Sequence, residues 1–144
     1  VLEGTAAKLA RQNILIAGVD DPAGFPKNSP AGWQKQLAEC GRAAAENENA
    51  YRILLCHRPE RTEAYAESGF ELVLCGHAHG GQIRLPFIGG LLAPEQGLFP
   101  KYTSGVHKLG AVTMVISRGL GNSLFPFRIF NRPEVVCLQL KAKS

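Results

Sequence analysis

The chain has 144 residues, with 16 Lys and Arg against 12 Asp and Glu, so that its formal net charge is +4. Its hydrophobic content of 45% is typical of a packed chain of single-domain length and excludes an intrinsically disordered one. No run approaches the roughly 20 apolar residues that span a bilayer, and the scattered basic residues argue against a nucleic-acid surface.

The first part of the chain is predicted to alternate strands with helices. Ser29 followed by Pro30 is typical of a helix start, because serine caps the helix and proline fits the first helical position. Gly69 is typical of a helix end. The predicted elements are, in order, a strand over residues 13–19, a helix from Ser29 to the polar stretch 46–49, a strand over 52–56, a helix over 62–68 and a strand over 72–75.

The second part is predicted to be all-β. A short strand over 82–86 and an apolar loop over 87–100 precede a hairpin of residues 102–109 with 110–117, and a last strand covers 133–140. Strand–helix–strand units followed by hairpins predict an α/β (α+β) fold, in which a mixed sheet begins parallel and finishes antiparallel. The apolar loop is interpreted as ordinary core packing rather than as a cover for a site or a lipid contact.

Three of the four histidines stand just beyond two of the predicted strands. His57 follows the strand over 52–56, and His77 and His79 follow the strand over 72–75. Side chains two residues apart on an extended segment point to the same side, and open α/β sheets bind ligands at the carboxyl ends of their strands. Imidazole is the commonest metal-binding side chain. These positions favour half of a metal site over three separate strand caps, because their coincidence has no packing reason.

The four cysteines do not form a zinc-binding pattern. Cys40, Cys56, Cys75 and Cys137 show no Cys-x-x-Cys spacing, so a thiolate zinc site is not predicted. Cys56 and Cys75 lie inside apolar runs, where free cysteine behaves as a small hydrophobic residue. Reduced thiols are therefore favoured, which fits a cytoplasmic compartment.

Five segments carry a resemblance to a known family. They are 18–22 (GVDDP), 55–59 (LCHRP), 76–82 (GHAHGGQ), 117–123 (SRGLGNS) and 127–134 (FRIFNRPE). Through these segments the chain resembles the calcineurin-like metallophosphoesterase superfamily, and in particular its bacterial branch of membrane-associated phosphohydrolases. The resemblance implies a four-layer αββα sandwich, a two-metal site at the strand ends and hydrolysis of phosphate esters.

The opening motifs of that family do not occur in this sequence. The family begins with Asp-x-His, Gly-Asp and Gly-Asn-His-Asp/Glu, whereas Asp20 and Asp21 are the only aspartates here. Residues 1–144 are therefore expected to be the C-terminal half of a calcineurin-like phosphoesterase domain. Any membrane anchor or export signal is expected to lie in the N-terminal part, and the parent protein is expected to be cytoplasmic or membrane-associated.

The resemblance also assigns roles to individual residues. It implies that His57 and His77 bind one divalent ion and that His79 binds a second, with manganese, iron or zinc suited to such ligands. Because half of the ligands are missing, occupancy in this chain is expected to be weak or partial. Gly80 and Gly81 are interpreted as a tight turn that leaves space over the metals, and a plain turn with no such role is the equal alternative.

Arg118 and Asn122 are the candidates for substrate binding. A guanidinium can bind a phosphate with two hydrogen bonds. The alternative, which is favoured for Arg118, is a structural arginine that pairs with Glu134 or with a carbonyl. Asp20 and Asp21 are either ligands or, as favoured here, the residues that begin a turn, because aspartate bonds to its own backbone in turns.

Two classes of function stay open. The first is a metal-dependent phosphoester hydrolase, acting on a phosphodiester, pyrophosphate or phosphomonoester, of which this chain supplies only the C-terminal histidine ligands. The second is a non-catalytic metal-binding or interaction fragment, and the isolated chain is expected to be inactive. The expected partners are a phosphorylated small molecule or lipid-linked substrate, no nucleic acid, and other copies of the chain that meet at exposed sheet edges.

Overall fold

A computed structural model of the protein describes residues 1–9, 11–26, 31–121 and 127–141. The predicted helix start at Ser29 and Pro30 and the candidate Asn122 lie outside these ranges. The strands and helices are β1 (Thr5–Leu9), β2 (Ile14–Gly18), α1 (Ala31–Ala45), β3 (Tyr51–Leu55), α2 (Thr62–Ala66), β4 (Leu72–Cys75), β5 (Arg84–Leu85), β6 (Gly89–Gly90), β7 (Leu92–Ala93), β8 (Gly97–Leu98), β9 (Gly105–Leu109) and β10 (Val112–Ile116).

Six of the strands form one mixed sheet in the order β1-β2-β3-β4-β10-β9. The four central strands are parallel to one another, and β1 and β9 are antiparallel edge strands. The predicted α/β (α+β) class and the mixed sheet are confirmed. Strand β1 was not predicted, because its sequence Thr-Ala-Ala-Lys-Leu lies almost entirely exposed and lacks an apolar run.

The two faces of this sheet differ in how they are covered. Alternate residues of the central strands, such as Leu54, Val73 and Met114, pack with α1 and α2 in the main hydrophobic core. The residues between them form a much smaller cluster on the other face, made of Ile53, Leu72 and Val115. The helix-covered half of a layered structure is thus present, and the full four-layer sandwich stays a prediction.

Two expectations for the second part of the chain are wrong. Residues 133–140 do not form a strand, because a strand needs a hydrogen-bonded neighbour and this segment pairs with none among the described residues. The apolar loop does not pack in the core, since Phe87, Leu98 and Phe99 are all exposed. The predicted strand over 82–86 shortens to Arg84–Leu85. Within the described ranges, no helix is long and apolar enough to cross a membrane.

Candidate metal centre

Strands β3 and β4 bring His57 and His77 to the same edge of the sheet. The two strands are parallel neighbours, with Leu55 opposite Leu74, so that their carboxyl ends leave the sheet side by side. The Gly76 N–H donates to the His57 carbonyl at 3.2 Å and thereby joins the two turns. His57 Nε2 lies 3.0 Å from His77 Nδ1. Two of the three candidate histidines are therefore in direct contact.

Asp21 is the third member of this group. Its Oδ2 lies 3.5 Å from His57 Nε2, and one ligand atom each from Asp21, His57 and His77 lie within 4.8 Å of one another. Oδ1 accepts hydrogen bonds from the Ala23 N–H and from Arg58 Nε, both at 2.8 Å. Asp21 thus forms the turn that was favoured for it and lies beside the histidines as well.

Asp20, by contrast, turns away from this group. Its Oδ2 accepts a hydrogen bond from Gln36 Nε2 at 2.8 Å, and its backbone N–H donates to Gln36 Oε1. Both contacts tie the loop after β2 to helix α1. The Asp20 side chain thus has a structural role, but its partner is Gln36 of α1, whereas a bond to the backbone of its own turn was favoured.

The donor set of Asp21, His57 and His77 fits a divalent ion. Two ligands bound at about 2.1 Å lie about 3.0 to 3.5 Å apart when the angle between them is about 90° to 110°. The 3.0 Å and 3.5 Å separations match this spacing. His77 Nε2 is buried and has no hydrogen-bond partner among the described residues. When a histidine binds a metal ion through one ring nitrogen, the other commonly donates to a neighbouring polar group.

The pKa shifts of His77 and Asp21 also suit a cation. Burial lowers the pKa of His77, and the nearby His57 and Arg58 act in the same direction. Burial works to raise the pKa of Asp21, but hydrogen bonds from the Ala23 N–H and Arg58 hold that pKa below its ordinary value. Neutral imidazole and ionised carboxylate are the forms that bind metal ions.

His79 lies outside the group of Asp21, His57 and His77. Its carbonyl accepts a hydrogen bond from Asn131 Nδ2 at 2.6 Å. Burial and then the Arg128 charge lower its pKa. His77 and His79 have positive φ angles of 64° and 46°, so the argument from an extended segment does not apply to this turn. The assignment of His79 to a second ion stays a prediction.

Gly80 and Gly81 permit close approach of two other parts of the chain. Their φ angles are +67° and +78°, in the left-handed region that glycine adopts readily. A Cβ on Gly80 would lie 2.2 Å from Asn131 Oδ1, and one on Gly81 would lie 2.4 Å from Gly90 Cα. Their absent side chains leave room for Asn131 and Gly90, whereas space over a metal was expected.

Arg118 makes the ion pair that the sequence favoured. Its Nε lies 3.4 Å from Glu134 Oε2, and its backbone N–H donates to Glu134 Oε1 at 3.1 Å. Arg128 lies nearby, because its Nη2 donates to the Arg118 carbonyl at 2.9 Å. Arg118 and Arg128 therefore lie close together, and the Arg128 charge is near enough to His79 to lower its pKa.

Three residues of this region were not identified as site residues from the sequence: Arg58, Arg128 and Asn131. Arg58 is only 9% exposed and orients Asp21, and its position directly after the candidate ligand His57 was the signal available in the sequence. Asn131 is 2% exposed and donates to the carbonyls of His79 and Gln82. Its distance of about 50 positions along the chain from the histidine turn leaves no local pattern.

Comparison with known proteins gives a consistent set of relatives. Phosphodiesterase YaeI of Escherichia coli is 36% identical over 71% of this chain and 37% of its own length. Metallophosphoesterase YkuE of Bacillus subtilis is 34% identical over 72% of this chain and 36% of its own length. A metallophosphoesterase of Aquifex aeolicus is 31% identical over 100% of this chain and 51% of its own length. The chain thus spans about half or less of each of these curated relatives. No protein-family model and no solved structure matches it.

Proposed function

Because the chain belongs to the calcineurin-like metallophosphoesterase superfamily, we propose that it supplies part of the metal centre of a phosphoester hydrolase. The observation that carries this proposal is the convergence of Asp21, His57 and His77 at the carboxyl edge of the sheet. A divalent ion held there would polarise a phosphoryl oxygen and acidify a bound water. The residues of this chain hold and orient that ion.

Each residue of the group has a distinct part in that task. His57 and His77 offer nitrogen ligands just beyond two paired strands, and that pairing brings the two rings together. Asp21 offers a carboxylate oxygen, and Arg58 orients it through the other oxygen. His79 is proposed as a ligand of a second ion. Arg118, Arg128 and Asn122 are proposed to bind the negative charge of the substrate.

The proposed substrate is a phosphodiester. Support comes from the name of the Escherichia coli relative, a phosphodiesterase. Hydrolysis of a pyrophosphate or a phosphomonoester would use the same metal ion and nearby guanidinium. Both therefore stay open as alternative substrates. A lipid-linked substrate is suggested only by the branch that the sequence resembles. Self-association of the chain is proposed separately, from the thinly covered sheet face that bears Ile53.

The alternative proposal is a non-catalytic metal-binding fragment. It is supported by the composition of the group, in which Asp21 is the single carboxylate and also pairs with Arg58. Two adjacent divalent ions would repel each other with little compensation from one carboxylate. Hydrolysis by the chain alone is therefore expected to be at background, whereas binding of one ion is expected.

Metal binding tests the proposed centre directly. Titration of the chain with Mn²⁺, followed by isothermal calorimetry and by the electron paramagnetic resonance of the free ion, is expected to show one weak site. The His77→Ala variant is expected to lose that site. His107→Ala is the matched control, because His107 is bonded to the Ser104 carbonyl in the hairpin and belongs to no ligand group among the described residues. Equal Mn²⁺ binding by the chain and by His77→Ala would contradict the proposed centre.

Activity separates the two proposals. The chain, and a longer natural protein that contains it, are assayed with Mn²⁺ and bis-p-nitrophenyl phosphate. Metal-dependent turnover in the longer protein that falls by about 100-fold or more in His77→Ala would support the hydrolase, since a metal ligand is lost. Background turnover in both proteins, together with Mn²⁺ binding, would favour the non-catalytic alternative.

A further inference from the structure

Two thiols are in contact at the ends of the strands that carry the candidate metal centre. Cys56 Sγ and Cys75 Sγ are 3.0 Å apart. Cys56 follows β3 and Cys75 ends β4, one register step beyond the opposed pair Leu55 and Leu74. Neighbouring strands are about 4.8 Å apart, which lies within the Cα separation of about 4.4 to 6.8 Å that a disulfide spans. The backbone therefore already has a spacing that a disulfide can bridge.

We propose that Cys56 and Cys75 form a reversible dithiol–disulfide site through which a thiol oxidant controls the metal centre. The sequence gives the pair its position, because Cys56 directly precedes His57 and Cys75 stands two residues before His77. The other two cysteines are placed differently. Cys40 is fully buried against the Gly18 carbonyl, and Cys137 is exposed in the segment after β10.

The exposure of the two thiols sets the order of reaction. Cys56 is half-buried, and together with His57 and Val19 it lines an open cavity of about 430 Å³. Cys75 is only 7% exposed. A small disulfide such as oxidised glutathione therefore meets Cys56 first, and Cys75 lies within reach for the second step.

The exchange is balanced in two steps. The Cys56 sulfur loses its proton and attacks one sulfur of the oxidant, which breaks the oxidant's S–S bond and releases one small thiol. The Cys75 sulfur then attacks Cys56 Sγ and breaks the mixed disulfide, and its proton passes to the departing sulfur, which leaves as the second small thiol. The two cysteines are oxidised by two electrons, and the oxidant is reduced to two thiols.

Formation of the bond constrains the ends of both strands, although their backbones need not separate or approach. The two sulfurs must approach by about 1 Å to reach bonding distance, and both side chains must rotate. His57 and His77 follow at once along the chain and are linked through the hydrogen bond from the Gly76 N–H to the His57 carbonyl. The 3.0 Å separation of the two ring nitrogens suits a bound ion and is expected to change. This consequence for the metal rests on the proposed function.

The disulfide is tested by thiol counting and peptide mapping. The Cys137→Ser variant removes the exposed thiol and leaves Cys40, Cys56 and Cys75. Incubation of the folded variant with oxidised glutathione is expected to consume two of these three thiols, to yield a Cys56–Cys75 peptide and to be reversed by dithiothreitol. Cys40→Ala in the same background is expected to form the same cross-link. Cys56→Ser is expected to prevent it.

Two results would overturn the proposal. Thiols that react only after denaturation, or a cross-link that includes Cys40, would remove the disulfide site. A Mn²⁺ dissociation constant that is the same in the reduced and cross-linked chains, where about a tenfold weakening is expected from displaced ligands, would remove its control of the metal. A reduced chain that binds no Mn²⁺ would contradict the proposed function and the metal control, while the thiol count would still decide the disulfide.

Discussion

Two regions of the chain owe their conformations to different kinds of contact: the strand pair β3 and β4, and the segment after β10. The two strands have a hydrogen-bonded neighbour on both sides and place Leu54 and Val73, which have no exposed surface, in the main core. The segment 127–141 is held instead by separate contacts, among them the single β-bridge at Ile129, buried Asn131 and the pair of Glu134 with Arg118. An apolar pattern therefore defines a strand only where the fold provides a neighbour and a core.

The largest expected difference between the two regions is in core packing. Leu54→Ala is expected to destabilise the chain by about 2 to 5 kcal/mol, because it leaves a cavity in a closed core. Leu140→Ala changes the same side chain at a position 45% exposed and is expected to change stability by less than about 0.5 kcal/mol. Urea unfolding followed by circular dichroism gives both values. Similar losses for the two variants would mean that the segment after β10 is packed as tightly as the sheet.

A smaller effect is expected where the two regions meet. Gly80 and Gly110 have similar φ angles of +67° and +62°, so alanine adopts an equally strained backbone at each. Only at Gly80 would the new Cβ meet a neighbour, Asn131 Oδ1 at 2.2 Å, since the space beside Gly110 is open. Gly80→Ala is therefore expected to be about 1 to 3 kcal/mol less stable than Gly110→Ala.

This glycine comparison also depends on Asn131. If the closeness of Asn131 is the cause, Asn131→Ala should remove most of the difference between the two alanine variants in a double-mutant cycle. The unfolding free energies of the single and double variants measure it. Equal stability of Gly80→Ala and Gly110→Ala in the natural background would show that Asn131 moves aside at little cost.

Much of the sheet could be predicted from the sequence, because β2, β3 and β4 are mainly apolar runs that are visible without knowledge of distant partners. The hairpin of β9 with β10 could be predicted from the apolar run of β10 and from Gly110 in the turn. The segment 133–140 has a similar apolar pattern, but it has no strand to pair with in the described part of the chain. Strand β1 forms although its apolar pattern is weak, because it hydrogen-bonds to the free edge of β2 as an antiparallel neighbour.

The candidate site could be predicted only in part. His57 and His77 meet because they follow neighbouring strands, which the sequence order implies. The approach of Asp21 depends on a contact with Arg58, 37 positions away, and Asn131 reaches the histidine turn from 52 positions away. Contacts at such separations come from tertiary packing and have no periodic signal. The left-handed conformations of His77 and His79 have no sequence signal either, because glycine is the residue that marks them.

The smallest expected effect concerns the surface of β3 and depends on pH. Arg52 Nε donates to Glu71 Oε1 at 3.0 Å, and the Arg52 backbone N–H donates to Glu71 Oε2 at 2.7 Å. Burial works to raise the pKa of Glu71, but these bonds from Arg52 hold it below its ordinary value of 4.5. The ionised carboxylate therefore stabilises the folded chain above pH 4.5, and that contribution is lost as the pH falls through the lower pKa of the folded state.

Glu71→Gln tests this pH dependence, because the amide keeps the shape of the side chain without its charge. At pH 7 the natural chain is expected to be more stable than the variant, and the difference is expected to shrink steadily below pH 4.5. Urea unfolding at a series of pH values measures it. Glu63→Gln is the control, since Glu63 makes no ion pair among the described residues. Its substitution should leave the change of unfolding free energy below pH 4.5 as it is in the natural chain. A difference between Glu71→Gln and the natural chain that stays constant with pH would mean that Glu71 acts through shape and neutral hydrogen bonds, and that the charge of Arg52 adds nothing to the pairing of β3 with β4.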